Sequence, residues 1–190
     1  NIGNNYMYRS ENQTAQKHQE LALSIKRQLN NPDTAGLQMN LGMIATELGD
    51  YPRGLELYLN AIEAYTNKHD SASVAMVHSN LGSLYRMMAE YDKALLSFRL
   101  ALTFQEKKGL LLEASKTYTN MGSLYRDIKQ DEESIKSFAK ALELLEQIDS
   151  QQNKWVLLFN IGTQYQAMNN HALAISFFKD AIASSEVAKS

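Results

Sequence analysis

An Asn-apolar-Gly triplet recurs at Asn40-Leu41-Gly42, Asn80-Leu81-Gly82, Asn120-Met121-Gly122 and Asn160-Ile161-Gly162, a strict spacing of 40 residues, and a fifth copy, Asn1-Ile2-Gly3, lies 39 before the first of these. A chain that repeats itself at such a period is built from similar small units. None of them can bury its apolar face alone, so neighbours must stack. The surrounding positions repeat as well. Three residues after the glycine stands Tyr6, Ala45, Tyr85, Tyr125 or Tyr165, and twelve after it stands Ala15, Gly54, Ala94, Ser134 or Ala174. Sixteen after it comes Gln19, Tyr58, Phe98, Phe138 or Phe178, and nineteen after it comes alanine in all five copies: Ala22, Ala61, Ala101, Ala141 and Ala181. Large residues are set to pack against small ones, unit after unit.

Apolar positions recur at three- and four-residue intervals on both sides of a short polar break, which predicts two amphipathic helices per unit. The breaks carry helix-end signals. Asp50-Tyr51-Pro52 puts a proline just inside a helix start, Asp131 leads Glu132 and Glu133 into a first turn, Asn170 opens the last helix, and Gly109 follows Lys107 and Lys108 as a C-terminal cap. A glycine inside a helix costs about 1 kcal/mol against alanine. Gly42, Gly82, Gly122 and Gly162 therefore need a compensating reason, and close approach of an aromatic ring from the partner helix supplies one.

The string apolar-Gly-x2-Tyr, then a small residue, then x3-Phe, then Ala resembles the tetratricopeptide-repeat signature. The resemblance runs over nearly the whole chain and is weakest at Gly3, where Gln19 replaces the aromatic residue. It implies an all-α fold, an α-solenoid of antiparallel helix pairs in a right-handed superhelix of about five repeats, near 1–32, 33–70, 71–109, 110–149 and 150–190. Two positions depart from the family pattern. The tryptophan usual four residues before the glycine is replaced by Gln38, His78, Tyr118 and Leu158, and the proline that normally ends the second helix is replaced by Thr66, Glu106 and Glu146. Without that proline the helices are expected to run on. The longer period is similar to that of the long-helix subclass, which includes polarity adaptors, kinesin light chains and bacterial peptide-responsive regulators.

In that family the first helix of each unit lines a concave groove. The resemblance assigns to this stripe Met39, Asn40, Met43, Met76, Ser83, Arg86 and Met87 in two units. In the next two it assigns Lys116, Asn120, Ser123 and Arg126, then Val156, Phe159 and Asn160. Asn40, Asn80, Asn120 and Asn160 occupy one register position, and a carboxamide can both donate to and accept from an extended peptide backbone. The stripe is similar to the asparagine ladder of the O-linked GlcNAc transferase and the polarity adaptors. Arg86, Lys116 and Arg126 point to a partner with acidic residues, and the methionines offer adaptable apolar contact. The chaperone-binding type of the family needs a basic residue two before the glycine in one unit and a lysine three before it in an earlier one. This chain has asparagine and uncharged residues there, with only Lys116 at a matching clamp site, so a chaperone-tail receptor is not expected.

Composition narrows the rest. The formal charge of −2, from 19 basic and 21 acidic residues, lacks the basic excess that nucleic-acid binding requires. There is no cysteine, which removes disulfides and sulfur-ligated zinc and suits the cytoplasm and a disulfide-free periplasmic domain alike. No stretch approaches the roughly 18 apolar residues of a membrane span. His18, His69, His78 and His171 fall in different units without ligand spacing, and neither a phosphate loop nor a nucleophile elbow is present. The expectation is a protein without catalysis, metal or cofactor that binds a protein or peptide. A start at Asn1, inside a repeat, is expected of a piece of a longer protein, so a sensory or regulatory domain of a bacterial kinase or transcription regulator is the alternative. Ile175, Phe178, Ala181 and Ile182 on a last helix without a later capping helix form an apolar face that a missing helix or a second copy is expected to cover, which makes a homodimer a further option.

Overall fold

The computed structural model describes residues 2–28, 34–148 and 150–187. Among them are nine α-helices and no strand: α1 (Ile2–Gln28), α2 (Ala35–Leu48), α3 (Tyr51–Asn67), α4 (Ser71–Met87), α5 (Tyr91–Lys107), α6 (Leu111–Asp127), α7 (Asp131–Gln147), α8 (Gln151–Ala167) and α9 (His171–Val187). The expected boundaries at 32/33 and at 149 fall outside the described residues, as does Asn1 of the first triplet. The chain divides into two compact units, Asn1–Ser97 and Phe98–Ser190.

The 40-residue period has a simple origin. Helices α3 to α9 each hold 17 residues, and a three-residue turn separates one from the next. Among the described residues, left-handed residues stand at 20-residue steps from Gly49 (φ 85°) through His69 (φ 56°), Ala89 (φ 59°) and Gly109 (φ 65°) to Lys129 (φ 59°), and again at Asn169 (φ 59°). Each donates its N–H to the carbonyl three residues back, and the residue after it donates to the carbonyl five back, as in Ala89 to Arg86 (3.0 Å) and Glu90 to Tyr85 (2.9 Å). That pairing closes the orphan carbonyls of a helix end. The helix after the turn is then capped where a side chain allows it. Asp50 accepts from the N–H of Arg53 at 3.3 Å, Asp70 from Ser73 at 3.1 Å and Asn170 from Leu173 at 3.2 Å.

Only two of these six left-handed sites hold glycine. For an L-residue this conformation costs about 1–2 kcal/mol, while glycine adopts it freely at an entropic cost of about 0.5–1 kcal/mol. Ala89 and Lys129 are exposed and make no side-chain bond here. Ala89→Gly and Lys129→Gly should each therefore raise stability by about 0.5–1 kcal/mol, read as an increased urea midpoint at constant slope.

The first copy of the repeat behaves differently. Its backbone forms one unbroken helix of 27 residues, α1, with no turn at Ser10, the position that corresponds to Gly49. The sequence here, Arg9-Ser10-Glu11-Asn12, has no glycine and no proline, but neither do the turns at His69, Ala89 and Lys129, so no local signal sets it apart. Two helices were expected in every copy, and this one forms a single long helix that lays Leu23 against Leu41, Ala45 and Leu57.

In the copies at Gly42, Gly122 and Gly162 the large-into-small packing is direct. A Cβ built on Gly122 would lie 2.6 Å from Cε1 of Phe138, one on Gly162 the same distance from Phe178, and one on Gly42 at 2.8 Å from the Tyr58 ring. Tyr58, Phe98 and Phe138 are buried, as are Ala61, Ala101 and Ala141. Burial pushes the Tyr58 hydroxyl up to about 12. In the first unit Tyr58, Ala61, Val77, Leu81 and Leu84 form the core between α3 and α4. In the second Phe138, Ala141, Leu145, Leu157 and Ile161 do the same between α7 and α8.

Candidate functional site

Because every pair of helices spans the same period, residues one period apart take equivalent places on successive first helices. In the first unit α2 and α4 touch, and in the second α6 and α8 touch. The helix stripe not used for packing on α3 or α7 faces outward on these pairs. In the first unit it carries Asn40 and Asn80, half-buried, between the exposed side chains of Met43, Met76 and Met87. In the second it carries Asn120 and Asn160, also half-buried, with exposed Lys116, Val156 and Phe159.

None of the four asparagine carboxamides makes a hydrogen bond among the described residues. This separates them from Thr46 and Ser134, whose hydroxyls are spent on the fold. Thr46 Oγ1 donates to the Gly42 carbonyl at 2.7 Å, and Ser134 Oγ to that of Gly122 at 2.8 Å. The serines assigned to the stripe behave likewise. Ser83 donates to the carbonyl of Ser79 (3.3 Å) and Ser123, buried, to that of Thr119 (3.1 Å), so each keeps only lone pairs for a ligand. Arg126 bridges the two first helices of its unit by donating to the backbone carbonyl of Asn160 at 3.4 Å. Arg86 lies half-buried near the end of α4.

The second unit holds a cleft of about 250 Å³ between α6 and α8. Lys116 and Asn120 stand on one wall and Asn153, Val156 and Asn160 on the other. Leu145 and Leu157 form its floor. Asn153 is absent from the stripe read in the sequence, because it lies nine residues before the glycine, in the first turn of α8. There its carboxamide donates to Ser150 Oγ at 2.9 Å. No repeating signal marks it, since the corresponding residues are Ser73 and Glu113.

The histidines do not converge. Among the described residues no three metal-binding side chains cluster. His78 occupies the place of the family tryptophan, where burial lowers its imidazole below the ordinary value. No helix among the described residues is long and apolar enough to cross a membrane.

The sequence profile of the tetratricopeptide repeat matches residues 33–107 and 113–186. The chain belongs to that family. This tetratricopeptide-repeat protein has an all-α helical-repeat fold of the solenoid class, and solved structures share it at low identity. BtubC (BKLC) from P. vanneervenii aligns with a TM-score of 0.76 at 17% identity over 94% of this chain and 75% of its own. Aspartyl phosphate phosphatase F from Bacillus subtilis aligns at 0.77 and 16% identity over 83% of this chain, but only 42% of that protein is spanned. MamA aligns at 0.62 and 17% identity over 100% and 97% of the two chains. Among curated protein sequences none matches. The long-helix tetratricopeptide-repeat protein is thus similar to these structures in fold alone.

Proposed function

We propose that this protein is a non-catalytic interaction scaffold that holds extended polypeptide along the first helices of each unit, with Asn40 and Asn80 of the first unit and Asn120 and Asn160 of the second pairing to the bound backbone. The observation that carries this reading is the unspent state of all four carboxamides at one repeating position. Polar groups that serve only the fold are normally paired within it. Hydrogen bonds of this kind contribute about 0.5–1.5 kcal/mol each, so the pair in each unit supplies about 1–3 kcal/mol of the roughly 8 that micromolar binding requires. Side-chain contacts with Met43, Arg86, Lys116 and Arg126, and acceptor sites on Ser83 and Ser123, make up the difference.

The test is a displayed random peptide library panned against the protein, followed by affinity measurements on the selected peptides. Changing Asn40, Asn80, Asn120 and Asn160 to Ala together should leave helicity and melting unchanged and weaken those peptides at least tenfold, which is about 1.4 kcal/mol. Unchanged affinity with the fold kept would sink the groove reading.

Self-association is a second reading, favoured by the outer face of α8 and α9. Seven residues before the glycine, Ala35, Ala75 and Ser115 are buried, whereas Trp155 is 40% exposed in the same place. On α9, Ile175 and Ile182 are 55% and 61% exposed, while their counterparts on α7, Ile135 and Leu142, are half-buried. Leu142 packs on the core that includes Leu157 and Ile161 of α8. An uncharged aromatic and aliphatic face of this composition is typical of an interface core. Sedimentation over rising concentration should show a dimer that Ile182→Glu returns to monomer. A monomer at every concentration would exclude it.

A further inference from the structure

The same register position has opposite chemistry in the two units. In the first, the hydroxyl of Tyr65 comes within 3.5 Å of where a Gly36 Cβ would be, so the tyrosine lies across the place between α2 and α4. Met39 packs on the same core as Tyr65. Eighty residues on, Leu145 stands for Tyr65, Lys116 for Gly36, Thr119 for Met39, Val156 for Met76 and Asn153 for Ser73. The shorter leucine leaves the cleft of about 250 Å³ open, and the lysine places a cation on its wall. Lys116 is exposed and makes no hydrogen bond or ion pair among the described residues. The other lysine of this region, Lys154, is held by Glu146 at 3.3 Å. Five polar side chains without charge complete the lining, Ser115, Thr119, Asn120, Asn153 and Asn160, and no carboxylate is among the described lining residues.

We infer that this cleft is a specificity pocket for one glutamate side chain of the bound segment, an inference that rests on the groove reading above. The assignment follows from the layers of the pocket. Leu145 and Leu157 at the floor suit two methylene groups, the amides of Asn120 and Asn160 can donate to carboxylate oxygens, and Lys116 supplies the countercharge. An aspartate is one methylene too short to cover the apolar floor and still meet the lysine. A lysine or arginine would bring a second cation beside Lys116 with nothing acidic among the described lining residues to pair it.

Peptides selected from the displayed random library are the probe. A glutamate should be enriched at one position, and replacing it by Gln or Asp in the synthetic peptide should weaken binding about tenfold and severalfold respectively. In Lys116→Ala the tenfold Glu-to-Gln difference should shrink to near unity, and Lys116→Glu should turn the preference toward Lys or Arg. Amidating the peptide's C-terminus should change nothing. Lys116 is exposed, so neither variant disturbs the fold. Selected peptides that depend on the four asparagines but show no acidic enrichment, or that keep their Glu-to-Gln difference in Lys116→Ala, overturn the pocket while the groove stands. Affinity lost on amidation and untouched by Glu-to-Gln overturns it in favour of a chain-end carboxylate. Peptides indifferent to the quadruple asparagine change overturn the groove reading, and the pocket with it.

Discussion

Phe138→Ala should destabilise the second unit by about 3–5 kcal/mol, toward the upper end of what a buried phenylalanine costs. The size of the loss depends on whether the surroundings can collapse into the space. Here they cannot. The ring lies on the backbone of Gly122, which has no side chain to lean inward, and its other neighbours, Ala141 and Leu145 among them, are already fixed on the fully buried side of α7. Ser134 holds the same stretch in place through its bond to the Gly122 carbonyl. Phe178 occupies the equivalent place against Gly162 but is half-buried, so its replacement by alanine should cost clearly less. The only tryptophan, Trp155, lies on α8 of this unit, and its fluorescence reports the loss directly. Urea unfolding followed by that fluorescence should show the midpoint fall further for Phe138→Ala than for Phe178→Ala. Equal losses at the two sites would mean that burial at Gly122 is not what sets the cost.

That contrast rests on a pattern the sequence states openly. Glycine, aromatic residue and alanine at fixed offsets announce the packing of ring on backbone, and Asp50, Asn170 and Gly109 announce their helix ends. The fold class and the family follow from these. What stays hidden is whatever an ordinary residue does in an unusual conformation. His69, Ala89 and Lys129 carry left-handed backbone without a glycine to signal it, so the 20-residue half-period is visible only in the structure. The unbroken α1 is hidden for the opposite reason, since a copy of the signature is present where no turn forms. In the site, the stripe of asparagines was legible because it repeats, and Asn153 and the cleft were not, because they arise from single departures: Leu145 for Tyr65 and Lys116 for Gly36.

Gln164 is another such departure, and its replacement by leucine should stabilise the protein by about 1–3 kcal/mol. Two residues after the glycine three of the other copies place Ile44, Leu84 and Leu124, all buried, and the first copy places Asn5. Gln164 is 0% exposed at that position. Its Nε2 donates to Asp131 Oδ1 at 2.7 Å, at the start of α7, but its Oε1 is buried with no partner. A buried amide that satisfies only one of its ends loses about 1–3 kcal/mol to desolvation. Leucine removes that cost, fills nearly the same volume and adds apolar burial. Asp131 loses one donor in the exchange, yet it is only half-buried and water can reach it. The pairing can be isolated by a double-mutant cycle. Asp131→Ala should destabilise the parent chain, because it strands the other end of the amide, and should be nearly silent once leucine stands at 164. If Gln164→Leu instead lowers the urea midpoint, the bond to Asp131 outweighs the stranded oxygen, and the polar residue is there to hold α7 and α8 in register.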